Sequence, residues 1–329
     1  MLSDYLYNLC KFITANFQYM NTKNISPFSS FMDFNLYENI LTKNNFNYIW
    51  MKKLHHKHTS FSFKYKYEIL EQHYDLLKIK LTILNSFLID FNDKSIKSGS
   101  IDEYLLIIEY TKGSLLNALI LISREENEFN YDNYLNKNLS SISNLDLRIL
   151  TYDNTTLWNS KIKNINELYN CFMNKSSYNR FSTSKFNINN ACKYAEKYAL
   201  TPNNNYTNFN DSGGDCTNFI SQIIYAGGIP LTNTWKPYTS SWIRVNELYK
   251  YITKNNIGNK LPDDSPYIRG TIIQFYTPQK GYYFHSGFIT YVLPFNEALY
   301  CCHSYNKLNY PLSEIYPVIY PVIRCITLN

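Results

Sequence analysis

The sequence predicts an α+β protein in two parts: an N-terminal domain, residues 1–174, of helices followed by a curved antiparallel sheet, and a second domain, residues 175–329, in which a cysteine-bearing helix packs on an antiparallel sheet. Three observations predict it. Phe61, Phe63, Tyr65 and Tyr67 alternate with Ser62, Lys64 and Lys66, and Ile79, Leu81 and Ile83 alternate with Lys78, Lys80 and Thr82; that period of two marks half-buried strands. Phe219, Ile220, Ile223 and Ile224 recur behind Cys216 at the spacing of one buried helix face. Apolar runs at 271–276, 286–293, 299–304 and 316–328 then read as strands.

In chain order, Tyr5, Leu6, Leu9, Cys10 and Ile13 predict a first helix, which Pro27 and Ser29-Ser30 end, and a second short helix spans 34–41. Four strand-like runs follow, near 61–67, 78–83, 103–110 and 116–122, an arrangement similar to the cone-shaped fold of nuclear transport factor two. Residues 125–175 are Asn-rich and weakly patterned, with one short helix at 164–173 and then a linker. Ile188, Cys192, Ala195 and Ala199 predict a helix stopped by Pro202. Trp242, Val245, Leu248, Tyr249 and Ile252 predict another, with Ser240 or Ser241 as its cap. Pro317 and Pro321 suggest that the last strand is an edge strand.

The most informative stretch is 213–230. Gly213 and Gly214 permit a tight turn, Asp215 suits a helix N-cap, and Cys216 becomes the first helical residue. Gly227-Gly228 and Pro230 stop the helix. The positive end of a helix favours thiolate over thiol, which makes Cys216 a candidate nucleophile; the alternative is a buried structural thiol. Such a nucleophile needs a base and a group that orients the base. His285 opens one predicted strand and His303 lies in the next, so Cys216, His285 and His303 form a Cys–His–polar set in chain order. The alternative for His285 is a satisfied core histidine.

Composition narrows the classes. The net charge of +6 is spread along the chain without a basic block, which argues against a nucleic-acid partner. Seven cysteines without framework spacing fit reduced thiols. Residues 1–20 lack a basic leader and a cleavage site, and no run reaches a membrane span, so a cytoplasmic location is expected. The run 55–58 with its three histidines, together with His73, matches no zinc pattern; a solvated basic segment is the expectation. Trp235, Tyr238 and Trp242 either line a groove or fill a core. Cys301 and Cys302 are adjacent on a strand and point to opposite faces, with Cys301 on the His303 side.

Tyr178-Asn179-Arg180, Ala191, Tyr194-Ala195, Tyr198-Ala199, Pro202-Asn203, Asn205-Tyr206, the block from Gly214 to Gln222, Ala226 to Pro230, Trp235, Ser241-Trp242, Ile273-Gln274-Phe275 and His285 together resemble the putative amidase domain family of Gram-positive bacteria, over about 178–315. That family is similar to the papain-like NlpC-type and CHAP-type cell-wall amidases and peptidases. The resemblance implies Cys216 as nucleophile, His285 as base, His303 as the orienting residue, and Tyr206 as a residue shaping the site near the oxyanion position. The backbone N–H of Cys216, left free by the helix start, becomes an oxyanion donor. Asp215 is then a cap, and Trp242 a wall of the site. The implied chemistry passes through a thiolate–imidazolium pair and an acyl-enzyme, with no metal or cofactor. The implied substrate is a peptide or a peptidoglycan fragment. Two alternatives stay open: a degenerate amidase-like binding module, and an acyltransferase using the same thioester. One departure stands out, Gly270-Thr271 where relatives carry Gly-Asp.

Overall fold

The computed structural model describes residues 2–15, 31–55, 58–91, 94–111, 115–175, 186–210 and 213–329. Pro27, Ser29-Ser30, His56 and Tyr178-Asn179-Arg180 therefore lie outside the described residues. The chain is mixed α+β with antiparallel pairing, and it divides into two compact units. One comprises Met1–Ser95 with Ile101–Glu167, the other Ile96–Ser100 with Leu168–Asn329.

In the first unit, α1 (Leu2–Ile13) and α2 (Phe34–Leu54) precede β1 (His58–His73), β2 (Leu76–Phe91), β3 (Lys94–Thr111) and β4 (Leu115–Ser123). The strands pair in the order β1-β2-β3-β4. Alternation buries Leu77, Ile79, Leu81 and Ile83 against Leu6, Leu9, Phe12 and Ile40 on one face. The other face buries Leu105, Ile107, Ile120 and Ile122 against Tyr131 and Tyr134 of α3 (Glu128–Asn136). Three expectations change here. The second helix runs on to Leu54 rather than stopping at Leu41, because Phe46, Trp50 and Leu54 are buried along it and the Asp33 carboxylate accepts from the N–H groups of Asn35 and Leu36 at its start. The weakly patterned region also holds a long helix, α4 (Asn144–Lys163), before α5 (Ile165–Met173). His58 is not solvated: it is buried at the start of β1, stacked 4.3 Å from Phe87.

The second unit carries α6 (Ile188–Tyr198), α7 (Cys216–Ala226), α8 (Ser240–Ile243) and α9 (Val245–Lys254). Its strands are β5 (Gly258–Lys260), β6 (Ile272–Thr277), β7 (Tyr282–Val292), β8 (Ala298–Cys302), β9 (Lys307–Pro311) and β10 (Val322–Leu328), in the order β9-β8-β7-β6-β10-β5. Gly99 and Ser100 extend this sheet by pairing with Leu308 and Lys307. The core joins Phe219, Ile220, Ile223 and Ile224 of α7 to Ile272, Phe288, Cys301 and Ile326. Burying each such side chain contributes about 1.5–3 kcal/mol, so the start of α7 is firmly seated.

Four local expectations are corrected in this unit. The face from Trp242 to Ile252 is split between α8 and α9 at Arg244, whose backbone is extended, and neither Ser240 nor Ser241 is a cap. The last strand is internal, between β6 and β5, because Pro317 and Pro321 both precede it. β8 ends at Cys302, so His303 lies in the turn before β9 and not on a strand face beside Cys301. At the end of α7, Gly228 alone adopts a left-handed φ of +99°, whereas Gly227 is helical and required for space: a Cβ there would meet the Phe186 ring at 2.0 Å.

Candidate active site

Cys216 begins α7, as its spacing predicts, but Asp215 does not cap the helix with its side chain. Its carboxylate turns away. Oδ1 accepts from the Phe209 N–H (3.0 Å) and from Asn218 Nδ2 (2.8 Å), and Oδ2 lies 2.6 Å from His303 Nδ1. A buried carboxylate requires such partners, and here all three are supplied from within the unit. The capping role passes to Ser304, whose Oγ accepts from the N–H of Asp215 (2.8 Å) and of Cys216 (3.2 Å). The Cys216 N–H is thus engaged, not free.

His303 is fixed at both ring nitrogens. Nε2 donates to the Tyr198 carbonyl (2.8 Å), Nδ1 meets Asp215, and the ring stacks on Phe219 at 3.8 Å and 3°. It has no nitrogen left for His285. The expectation that His303 orients the base is therefore corrected: it ties the turn after β8 to the start of α7.

His285 lies opposite Phe275, and Ser286 lies opposite Gln274. Ile272 and Phe288, also directly opposite each other, belong to the core with α7. Alternation then puts Ser286 on the α7 face and His285 on the other. His285 is buried among rings, with Phe275 at 5.3 Å and Tyr305 at 5.2 Å. Its Nε2 is buried without a hydrogen-bond partner. Burial first, and then Lys307 and Lys280, push its pKa down to about 3.

Around Cys216 Sγ stand Thr217 Oγ1 at 3.7 Å and the backbone N–H of Ser286, one peptide away from His285. Both contacts favour thiolate, yet burial dominates and raises the thiol above its ordinary range. The thiolate–imidazolium pair expected from a helix start is thus replaced by two neutral groups, and no hydrogen bond joins Cys216 to His285.

Trp242 is wholly buried. Its Nε1 donates to Asn218 Oδ1 (2.8 Å), while Asn218 Nδ2 also reaches the Thr207 carbonyl (2.9 Å). Trp235 packs 4.9 Å from Trp242 and donates to Ser221 Oγ, so both tryptophans are core. Tyr206 is half-buried and stacks on Trp242 at 6.2 Å. Tyr238 is exposed, and its hydroxyl accepts from the Thr207 N–H. Thr271, at the departure from the family pattern, is buried; its backbone bonds to Ile268 and Ile289, and its hydroxyl has no partner.

Sequence reasoning missed Ser304 and Asn218. Asn218 had a signal, three residues after Asp215 and so one helical turn along; Ser304 had none, since only the β8–β9 turn brings it to α7. Among the described residues no cluster of three His, Cys, Asp or Glu side chains stands ready to hold a metal ion, and no helix is long and apolar enough to cross a membrane.

Residues 185–321 match the family described as Putative amidase domain. The chain is 36% identical over 124 residues to the uncharacterized protein YjcM of Bacillus subtilis (strain 168), covering 37% of this chain and 28% of YjcM. It is 35% identical over 78 residues to the uncharacterized protein YhbB of the same strain, covering 21% of this chain and 24% of YhbB. The chain thus spans about a quarter of the length of these relatives. No solved structure matches it.

Proposed function

We propose that the second unit is a cysteine-dependent amidohydrolase on a papain-like plan, with Cys216 as nucleophile and His285 as its acid–base partner. The family description names amide chemistry; the thiol mechanism is our reading. One observation carries it. A thiol at a helix start faces the Ser286 N–H, and the neighbouring residue, His285, holds a buried ring nitrogen with nothing to bond. An unsatisfied buried polar atom costs about 1–3 kcal/mol, and chemistry is a standing reason to keep one.

The resting pair is neutral. His285 stands on the sheet face away from α7, so the backbone at the bulge beside Phe284 must rearrange and carry the ring across to the α7 face, with Nε2 within about 3 Å of Sγ. It then takes the thiol proton as Sγ bonds to the carbonyl carbon. The tetrahedral oxyanion collapses, the C–N bond breaks, and the amine leaves with the proton from His285. Water, deprotonated by His285, attacks the thioester and releases the acid and the thiol. His303 and Asp215 serve as positioning residues, and the buried Trp242 holds Asn218 by a hydrogen bond and the half-buried Tyr206 by stacking. The substrate class follows the resemblance: a peptide, or a peptidoglycan fragment encountered in the cytoplasm. An amine in place of water would make the same thioester a transfer intermediate.

A second reading, a binding module on an amidase-like fold, is favoured by the neutral Cys216 and His285 and by the engaged Cys216 N–H. Turnover of N-acyl peptides and muropeptides separates the two. The first reading expects hydrolysis that Cys216→Ala abolishes and His285→Gln lowers by about 10²–10⁴. Binding of these ligands without turnover, unaffected by either substitution, supports the second.

A further inference from the structure

We infer that Ser304 is a removable internal occupant of the oxyanion position, so that the resting site is closed by its own hydroxyl. The inference rests on Cys216 being the nucleophile. Two backbone N–H groups, of Asp215 and Cys216, converge on the single oxygen Ser304 Oγ at 2.8 and 3.2 Å. Convergent donors of this kind, one of them on the nucleophile's own residue, are what a tetrahedral oxyanion on Sγ requires. Here a neutral hydroxyl takes their hydrogen bonds.

The surroundings hold that hydroxyl in place. Ser304 has a left-handed φ of +75°, uncommon outside glycine. Its N–H donates to Asn210 Oδ1 at 3.2 Å, and the preceding residue is His303, locked to Asp215 and to the Tyr198 carbonyl. On the other side, Gly214 leaves room for it, since a Cβ there would stand 3.0 Å from Oγ. Ser304 is only part-buried, so the hydroxyl can leave by a rotamer change while the backbone stays anchored. A substrate carbonyl then exchanges with the hydroxyl one acceptor for one. Little is gained in the ground state, whereas the negatively charged oxyanion forms the stronger hydrogen bonds. The device thus favours the transition state over casual acceptors.

The test compares two reagents on Cys216. In acylation by p-nitrophenyl acetate, Sγ bonds to the acetyl carbon, the thiol proton passes to His285 and p-nitrophenolate leaves; this route forms an oxyanion. Alkylation by iodoacetamide displaces iodide at a saturated carbon and forms none. Ser304→Gly removes the hydroxyl at a backbone conformation that glycine accepts, and Ser304→Asn keeps an acceptor on a side chain that tolerates the same conformation. With both rates read at Cys216 by peptide mapping, Ser304→Gly is expected to raise the acylation-to-alkylation ratio roughly tenfold, and Ser304→Asn is expected to leave it at or below wild type. A ratio that Ser304→Gly leaves unchanged or lowers, in a protein whose Cys216 is acylated, overturns the inference: the hydroxyl would then only cap the helix, or would itself donate to the oxyanion. Acylation of Cys216 in none of the three proteins overturns the nucleophile reading, and this inference with it.

Discussion

His303 Nδ1 lies 2.6 Å from Asp215 Oδ2, both side chains buried, and this pair joins the turn after β8 to the first turn of the cysteine helix. The carboxylate is also held by Phe209 N–H and Asn218 Nδ2, so three separate segments meet on one side chain. Removing one partner of a buried pair costs about 3–5 kcal/mol, mostly because the other is left without compensation. His303→Ala and Asp215→Ala are therefore expected each to lower stability by about 3 kcal/mol. The double variant falls short of their sum by at least about 1 kcal/mol. Urea denaturation of the four proteins measures the coupling; strict additivity would contradict it.

Gly213 and Gly214 look alike in the sequence and differ in the fold. Both have left-handed φ, +95° and +99°, but a Cβ on Gly213 meets nothing within 4 Å, whereas on Gly214 it meets Ser304 Oγ at 3.0 Å. Gly213→Ala is expected to cost about 1–2 kcal/mol from backbone strain alone. Gly214→Ala is expected to cost about 1 kcal/mol more and to displace the Ser304 hydroxyl. Thermal unfolding of the two variants gives the difference directly.

Trp242 acts on the site through Asn218. Trp242→Phe keeps most of the ring volume and removes the Nε1 donor at 2.8 Å, leaving Asn218 Oδ1 buried without it. The expected loss is about 1–3 kcal/mol. Because Asn218 also holds Asp215, Asn218→Leu is expected to be at least as damaging as Trp242→Phe. Equal stability of Trp242→Phe and wild type would show that this bond carries no weight.

His285 gives the fold a pH dependence of definite sign. Its folded pKa, about 3, lies below its ordinary value of 6.5. Between those values the unfolded chain binds the extra proton, so stability is complete above about 6.5 and is lost as pH falls toward 3. The loss from this group is on the order of a few kcal/mol. Cys216 acts at the other limb: its raised pKa means stability is lost as pH climbs past its unfolded value of 9.0. Denaturation midpoints from pH 4 to 7 are expected to rise less steeply in His285→Phe than in wild type.

Much of the fold was legible because burial and periodicity agreed. Phe61 to Tyr67, Ile79 to Ile83 and Phe219 to Ile224 follow the simple rules, and strands or a helix stand there. Where polar residues are buried, the pattern misleads. β9 carries Lys307 and Asn309 inside, with Asn309 Nδ2 bonded to the Lys97 carbonyl and to Glu196, so its run does not read as a strand. α4 hides among Asn and Thr residues that offer little periodicity. The site shows the same division. Cys216 at a helix start follows from local spacing, whereas the partners of Asp215, His303 and Cys216 N–H depend on where a turn some ninety residues later crosses the helix. No local pattern in the sequence encodes that crossing.

The most direct test of Cys216 and His285 as a working pair is the rate at which an activated acyl ester modifies Cys216 at neutral pH. Mass-spectrometric peptide mapping reads it in wild type, His285→Gln and His303→Gln. The expected result is an adduct on Cys216 in wild type, slowed by about two orders of magnitude or more in His285→Gln. In His303→Gln, which keeps hydrogen-bonding capacity at the positioning residue, the predicted slowing is no more than about tenfold. Equal rates in wild type and His285→Gln, or an adduct on another of the seven free cysteines in its place, would contradict it.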